Sequence, residues 1–547
     1  MPHSGAFEGR TWPSRYELYT TVKARVAAGW ELTTLREPSR LFGSNGIRVH
    51  DGRLWIAELV GDQISTWDLS SGDRAVASPM GSLLSGPDDV AFDSEGTVYT
   101  AETMNGRVSG RRANGEYFVL LDDCPCANGI YVDPRTDTLY VDEMREGGRI
   151  LEVDRHRPNT FRVIAEGLDW LNALETGDDG RLYVPQVLDG RVISVDPVTG
   201  DVKVAAEGFI FPTAAKFDPS GRLVVSDAGT GIVSAIDPAT GERVRLAEPG
   251  QGIDSFAFDA AGNLYVSNFI DTRVVRYAAG TERIDQVISE RAFMGPYQVA
   301  ADDGDGYLAA DSNSICHVSP TGEISRLSRL FFDQPFVAIG AQRVDGNLVA
   351  LTQAGDVFRR EDGRDTWEKL LGSTGDATTQ YLSVEADGAS AIAVNQGTLL
   401  AGLVDGGVVA LAMDGTVTSR WETGLASIVA VAGHGDTVVA CDEKSATLVL
   451  LAGGERRVLN GFDAPAAVAV TGEALYVAQR QGGGGRVIRV DLTDLRREVI
   501  AEGLPLGLPA DGVSYGRRPS LLVDTDHSLV VGCDGDGTIR RLTRMVG

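Results

Sequence analysis

A short pattern recurs along this 547-residue chain: an apolar strand, a turn opened by Asp and carrying Gly, then a second apolar strand. It reads AFDSEGTVYTAE from residue 91, YVDPRTDTLYVDE from 131, KFDPSGRLVVSD from 216 and AFDAAGNLYVSN from 257. Asp supplies a side-chain hydrogen bond to the turn and Gly its positive φ, so each copy is a hairpin. A third strand follows, as in GRILEVD, GRVISVD, GIVSAID and TRVVRY, and a fourth precedes the next copy, as in RVIAEGL from 162 and DVKVAAEGF from 201. Four antiparallel strands every roughly 40 residues describe the blades of a β-propeller.

Inner-strand starts fall near Asn45, Asp88, Asn128, Asn172, Thr213 and Asp254, then near Tyr297, Phe336, Leu382, Ser427, Ala466 and Ser520. Closed propellers have about four to eight blades, so the expectation is an all-β chain of two tandem six-bladed β-propellers with a short N-terminal helix. The helix is expected from the spacing of Tyr16, Tyr19, Val22 and Val26 within residues 14–29. The expected layout is an N-terminal extension at 1–30, a first propeller at 31–281 and a second at 282–547. The last repeat ends after its third strand, so a strand from elsewhere must complete it. ELTTLRE (31–37) is expected to close the first ring and ERIDQVISE (282–290) the second, with the N-terminal strand closing the second ring as the alternative.

Composition narrows the function. The hydrophobic share of 43% suits a chain folded throughout, and a formal charge of −27 without a basic stripe makes nucleic acid a poor partner and a cation a good one. No apolar run is long enough to span a bilayer and the start lacks a secretory signal, so the expectation is a soluble, cytoplasmic protein acting on a small molecule, with no membrane partner. Five cysteines do not make a disulfide framework, and the Cys124–Pro125–Cys126 stretch has no second ligand pair at metal spacing. GGGG at 482–485 lacks the Lys-Ser/Thr and helix of a phosphate loop and reads as a turn.

In a propeller the starts of the inner strands and the ends of the next strands gather on one face around the central channel. In the first half the starts are Asn45, Asp88 with Asp89, Asn128, Asn172, Thr213 and Asp254; the second-strand ends are Glu58, Glu102, Asp142 with Glu143, Gln186, Asp227 and Asn268. Nearly all offer oxygen, as a hard cation such as Ca²⁺ requires. Asn and Asp at strand starts can also simply tie down the preceding loop. The second half serves as a control, because its starts are mostly apolar or small and its strand ends, Asp311, Gln353, Asp442, Gln479 and Asp534, are less acidic.

The stretches GSNGIRV, GPDDVAFDSEGTVYTAE, CANGIYVDPRTDTLYVDE, GLDWLNALETGDDGRLYV and GIDSFAFDAAGNLYVSN make the first half resemble the gluconolactonase, senescence-marker protein and luciferin-regenerating enzyme family of six-bladed propellers. The resemblance implies one divalent cation, often Ca²⁺, held by a Glu, two Asn and an Asp, and the opening of lactones or phosphotriesters. The matching amides are Asn128 and Asn172, and the matching acid is Asp254. The family's first-blade Glu is absent; Asn45 stands in its place, with Asp89 or Glu58 as substitutes.

These readings predict a metal-assisted lactone or ester hydrolase with Asp254 as base and Glu102 as a further acid or base. Glu58, Asp142, Gln186, Asp227 and Asn268 would contact substrate. None of the six histidines falls on the expected mouth, and no Gly-x-Ser-x-Gly elbow is present. The competing readings are a metal-free synthase or lyase that uses a channel carboxylate, Glu102 or Glu58, and a non-enzymatic binding or scaffold propeller.

Overall fold

A computed structural model describes residues 23–237, 240–289, 291–329, 337–372, 388–480, 484–507 and 518–545. The turn chemistry read from sequence is present. Asp93 Oδ1 accepts hydrogen bonds from the backbone N–H of Glu95 at 3.0 Å and of Thr97 at 2.8 Å, and Gly96 adopts φ +79°. Asp218 and Asp259 make the same pair of bonds in their hairpins.

The described residues form twelve β-sheets, eleven of four strands and one of five. They divide into two compact units, one from residues 40–292 and the other from residues 23–39 together with those from 293 onward. Each unit holds six sheets. In the N-terminal unit the inner strands are Ser44–His50, Pro87–Phe92, Ala127–Asp133, Glu175–Thr176, Pro212–Phe217 and Ile253–Phe258. Each lies beside the next, and the sixth returns to the first. In the C-terminal unit they are Gln298–Ala301, Ala338–Val344, Ala389–Asn395, Ala430–His434, Pro465–Val470 and Ser520–Val523, again in a cycle. The fold is all-β and propeller-like.

Sheets covered on both faces must be apolar on both, so the strands read as near-continuous apolar runs rather than alternating ones. Ala101, Val108, Ile130 and Val141 fill the space between the second and third sheets. Leu41, Ile47 and Ile56 meet Ala257, Tyr265 and Val274 between the first and sixth. In the other unit Val299, Tyr307 and Val318 meet Val530 and Ile539 across the corresponding junction.

Ring closure reverses the expected allocation. Trp30–Arg36 pairs antiparallel with Thr538–Arg544 and completes the last sheet of the C-terminal unit, while Ile284–Ser289 pairs with Arg273–Tyr277 inside the N-terminal unit. The reason is loop entropy: Ile284–Ser289 follows its partner across a short turn, and the local pairing forms at least cost. The N-terminal strand is left for the sheet that lacks a local fourth strand. The division between units accordingly falls at residues 292 and 293 rather than 281 and 282.

The helix expected over 14–29 lies largely outside the described residues; within them Arg25–Val26 is a strand on the edge of Arg497–Leu504. The starts expected at Phe336 and Leu382 also lie outside the described residues. Of the GGGG run, Gly485 begins a strand, Gly485–Asp491. The five cysteines are free and buried.

Candidate functional site at the mouth of the N-terminal unit

Five of the six inner strands open in the same way. Ser44 pairs with Glu58, Pro87 with Glu102, Ala127 with Glu143, Pro212 with Asp227 and Ile253 with Asn268, and a register shift follows each pair. The residue after the pair sits in the irregular stretch, and such bulges turn a side chain out of the ladder. That residue is Asn45, Asp88, Asn128, Thr213 or Asp254. In the fourth sheet Asn172 follows the isolated bridge between Leu171 and Gln186.

Two groups form. On one side are Asp88 and Asp254. Burial pushes the Asp88 carboxyl well above the usual carboxylate range, and the neighbouring Asp254 charge adds to it, while Thr103 Oγ1 donates to Asp88 Oδ2 at 3.0 Å. Burial and then the Asp89 charge push Asp254 up to about 7, against the opposing pull of Lys216. Asp88 is buried and Asp254 is partly exposed. On the other side are Asn128 and Asn172, whose Nδ2 atoms lie 3.1 and 3.8 Å from Met144 Sδ. Asn128 Oδ1 is buried with no hydrogen-bond partner among the described residues.

Behind Asn128, Gly129 N donates to Asp142 Oδ1 at 3.0 Å, and a Cβ at Gly129 would press into the other carboxylate oxygen. That close approach explains the Asn-Gly pair in the motif. Asp142 is fully buried and held well above its usual range, by burial first and then by Asp89. It supports the inner strand through Gly129.

Deeper in the unit lies a charge cluster that strand-start reading missed. Arg48 Nε donates to Val90 O at 2.8 Å and Nη2 to Ile130 O at 3.2 Å, and its guanidinium lies 3.4 Å from Asp89 and 3.8 Å from Glu175. Lys216, 4% exposed, donates from Nζ to Ile47 O at 3.0 Å, Ser255 Oγ at 2.8 Å and Phe256 O at 2.9 Å. Asp89, expected as a stand-in metal ligand, is instead an ion-pair partner whose Oδ1 caps Val90 N at 2.8 Å. Cations on otherwise apolar inner strands, in GIRV and AAKF, were the available signal.

The second-strand ends do not line the mouth. Glu58 accepts from Phe42 N at 3.0 Å and from Gln63 at 2.8 Å and faces Arg74 at 3.4 Å. Glu102 is held by Asn105 at 2.8 Å and Arg107 at 2.5 Å, and Glu143 by Arg145 and Arg149. Gln186 is bound by Arg191 at 2.8 Å. Asp227 accepts from the N–H of Ile210 and Phe211 at 3.1 and 2.8 Å, and Asn268 donates to Gln251 O at 2.9 Å. The same device recurs in the C-terminal unit, where Asp311 accepts from Gly295 N at 2.9 Å and Asp534 from Gly507 N at 2.7 Å. These side chains bond to backbone of the adjoining loops and to local arginines, although Glu102 Oε1 is buried without a hydrogen-bond partner among the described residues. Glu58, Glu102, Gln186, Asp227 and Asn268 are thus tied to loop backbone and local side chains.

The mouth offers oxygen donors of the kind a hard cation takes: Asn128 Oδ1 without a partner, Asn172, Asp88 and Asp254. Among the described residues no three His, Cys, Asp or Glu side chains group closely enough to hold a metal, so the amides would have to complete any such site.

A propeller-like fold with an acid-and-amide mouth defines a propeller enzyme or binding protein. Residues 44–292 match the family described as the SMP-30/Gluconolactonase/LRE-like region. No curated protein matches the chain. Similar solved structures include virginiamycin B lyase from Staphylococcus aureus, with 16% identity over 54% of this chain and 98% of that one and a TM-score of 0.37. A regucalcin from Agrobacterium tumefaciens, described as calcium-binding, shows 19% identity over 43% of this chain and 84% of that one, with a TM-score of 0.36. Among the described residues no helix is long and apolar enough to cross a membrane.

Proposed function

We propose that each unit is a closed six-bladed propeller and that the N-terminal one is a hydrolase opening a lactone or related ester with the help of one divalent cation, Ca²⁺ by the chemistry of its donors. The observation that carries this reading is the neighbourhood of Asp88 and Asp254, two carboxyls enclosed together and both raised. Enclosed carboxyls of this kind give up their protons in sequence. Asp254 is the more exposed of the two, and its charge raises Asp88 further.

Asn128, Asn172 and Asp254 would hold the cation, which when bound supplies Lewis-acid polarisation of an ester carbonyl. Asp254 takes the proton from the attacking water, since a base is most useful with its pKa near the working pH. Asp88, raised by burial and by the Asp254 charge, is the matching acid on the leaving oxygen. Lys216, behind Asp254, keeps its carboxyl from rising further.

A metal-free lyase remains the second reading, favoured because the same two aspartates make an acid and base couple without a cation. Glu58 and Glu102, the carboxylates first weighed for it, are committed to Arg74 and Arg107. The test is turnover of a panel of γ- and δ-lactones by the full chain, with Ca²⁺ and after EDTA. Hydrolysis lost on chelation and restored by Ca²⁺ supports the hydrolase; activity indifferent to EDTA turns the assignment to the lyase. No turnover of any lactone in either condition removes the lactonase reading.

A further inference from the structure

The C-terminal unit holds a cavity of about 1300 Å³ that no part of the proposed chemistry uses. Its walls include Ile339, Ile392, Val431 and Val468 from four inner strands. At the end where those strands finish, His434 and Glu473 are exposed, so that end meets solvent. At the end where they start lies Arg518, just ahead of the sixth inner strand. Its Nη1 reaches Ser390 O at 2.8 Å, at the start of the third inner strand, and Val429 O at 3.1 Å, just before the fourth. The guanidinium therefore crosses the axis and forms the floor of the passage. A strand rises about 3.3 Å per residue, so floor and rim are roughly 20 Å apart.

What sets Arg518 apart is that no acid is in ion-pair contact with it, Glu443 acting on it only at longer range. In the N-terminal unit the buried Arg48 is answered by Asp89 and Glu175. Here the neighbouring Arg480 takes both Glu443, at 3.2 Å, and Asp534, at 3.4 Å. Among the described residues no carboxylate comes within ion-pair distance of Arg518, and its Nε and Nη2 groups have no hydrogen-bond partner. Burial and the like charge of Arg480 oppose its protonated form. The Nε and Nη2 edge of a guanidinium is the one that matches both oxygens of a carboxylate. A charge partly withdrawn from water and without an ion-pair partner is costly in any folded protein.

We propose that this cavity binds a monocarboxylate with an apolar body, the carboxylate seated on the Nε and Nη2 edge of Arg518 and the body lying along the Ile339, Ile392, Val431 and Val468 walls. Arg518 supplies the charge complement inside a protein that is otherwise strongly acidic, and the apolar strands exclude small hydrated anions that could not repay their desolvation.

The test is isothermal titration of the full chain with decanoate below its micelle concentration, with 1-decanol as the neutral probe of equal length. Decanoate is expected to bind roughly 10- to 100-fold more tightly than decanol, the range of a charged hydrogen-bonded pair. Arg518→Gln should remove that preference. Ala393→Phe, which narrows the passage at a half-buried lining position, should weaken both probes and keeps the test valid if Arg518→Gln does not fold. Asp254→Asn, in the other unit, should leave decanoate binding unchanged. Equal affinity for the two probes, binding that survives both Arg518→Gln and Ala393→Phe, or binding lost in Asp254→Asn overturns the proposal.

Discussion

Lys216 Nζ donates to Ser255 Oγ at 2.8 Å, the residue next in the chain to Asp254, and so ties the fifth inner strand to the sixth directly beneath the proposed base. The same ammonium bonds Ile47 O in the first sheet, so one side chain joins three sheets. Its charge also lowers the Asp254 carboxyl. Lys216→Met should cost about 2 to 4 kcal/mol in chemical denaturation by leaving buried acceptors without donors. It should also move the acid limb of kcat/KM to higher pH. A purely structural lysine would change the first and not the second.

Asp254→Asn should reduce turnover by roughly 10²- to 10⁴-fold, the usual contribution of a positioned base, with little loss of secondary structure by circular dichroism. Because the folded-state carboxyl is raised, its ionised form is disfavoured in the folded protein. The variant should then melt at a higher temperature than wild type above the Asp254 pKa of about 7.

The sign of the pH dependence follows from three carboxyls. Asp88, Asp142 and Asp254 are all raised above the ordinary aspartate value of about 3.9. For each, the folded state binds the proton more tightly than the unfolded chain, so its contribution to stability is complete below that value and is lost as pH climbs through the folded pKa. Denaturation midpoints of the N-terminal unit should fall from weakly acidic to weakly alkaline pH. Asp142→Asn should flatten that fall without abolishing activity.

Glu102→Gln separates an anchor from a catalyst. Glu102 is buried against Arg107, and breaking such a pair should destabilise by about 3 kcal/mol. Activity per folded molecule should stay within a few-fold of wild type, measured below the shifted midpoint.

Removing residues 1–36 takes away Trp30–Arg36, the outer strand on Thr538–Arg544. An exposed sheet edge should lower the thermal midpoint of the C-terminal unit and promote association. Calorimetry should show the transition of the N-terminal unit unchanged.

The repeat was legible because local hairpins impose local spacing: an Asp such as Asp93 and a Gly such as Gly96 mark each turn wherever they recur. Pairing between distant chain segments leaves no such spacing, which is why Trp30–Arg36 was assigned to the wrong sheet. At the site, the inner-strand starts carried signal because bulges there turn Asp88, Asn128 and Asp254 out of the ladder. The second-strand ends were not distinguishable in sequence, because Glu58, Glu102 and Asp227 bind loop backbone and arginines with the same oxygen chemistry that a ligand site would use. Arg48 and Lys216 were hidden because each lies three or more residues past the start of its strand, where an apolar residue is the default.

The most direct test of the account is the pH dependence of kcat/KM for a hydrolysed lactone between about pH 5 and pH 9, in wild type and Asp254→Asn with Ca²⁺ present. The account predicts a rising limb in the wild type at or below about 7, the level to which Asp254 is raised before a bound cation pulls it down, and no such limb in the variant. The same limb in both proteins would contradict it.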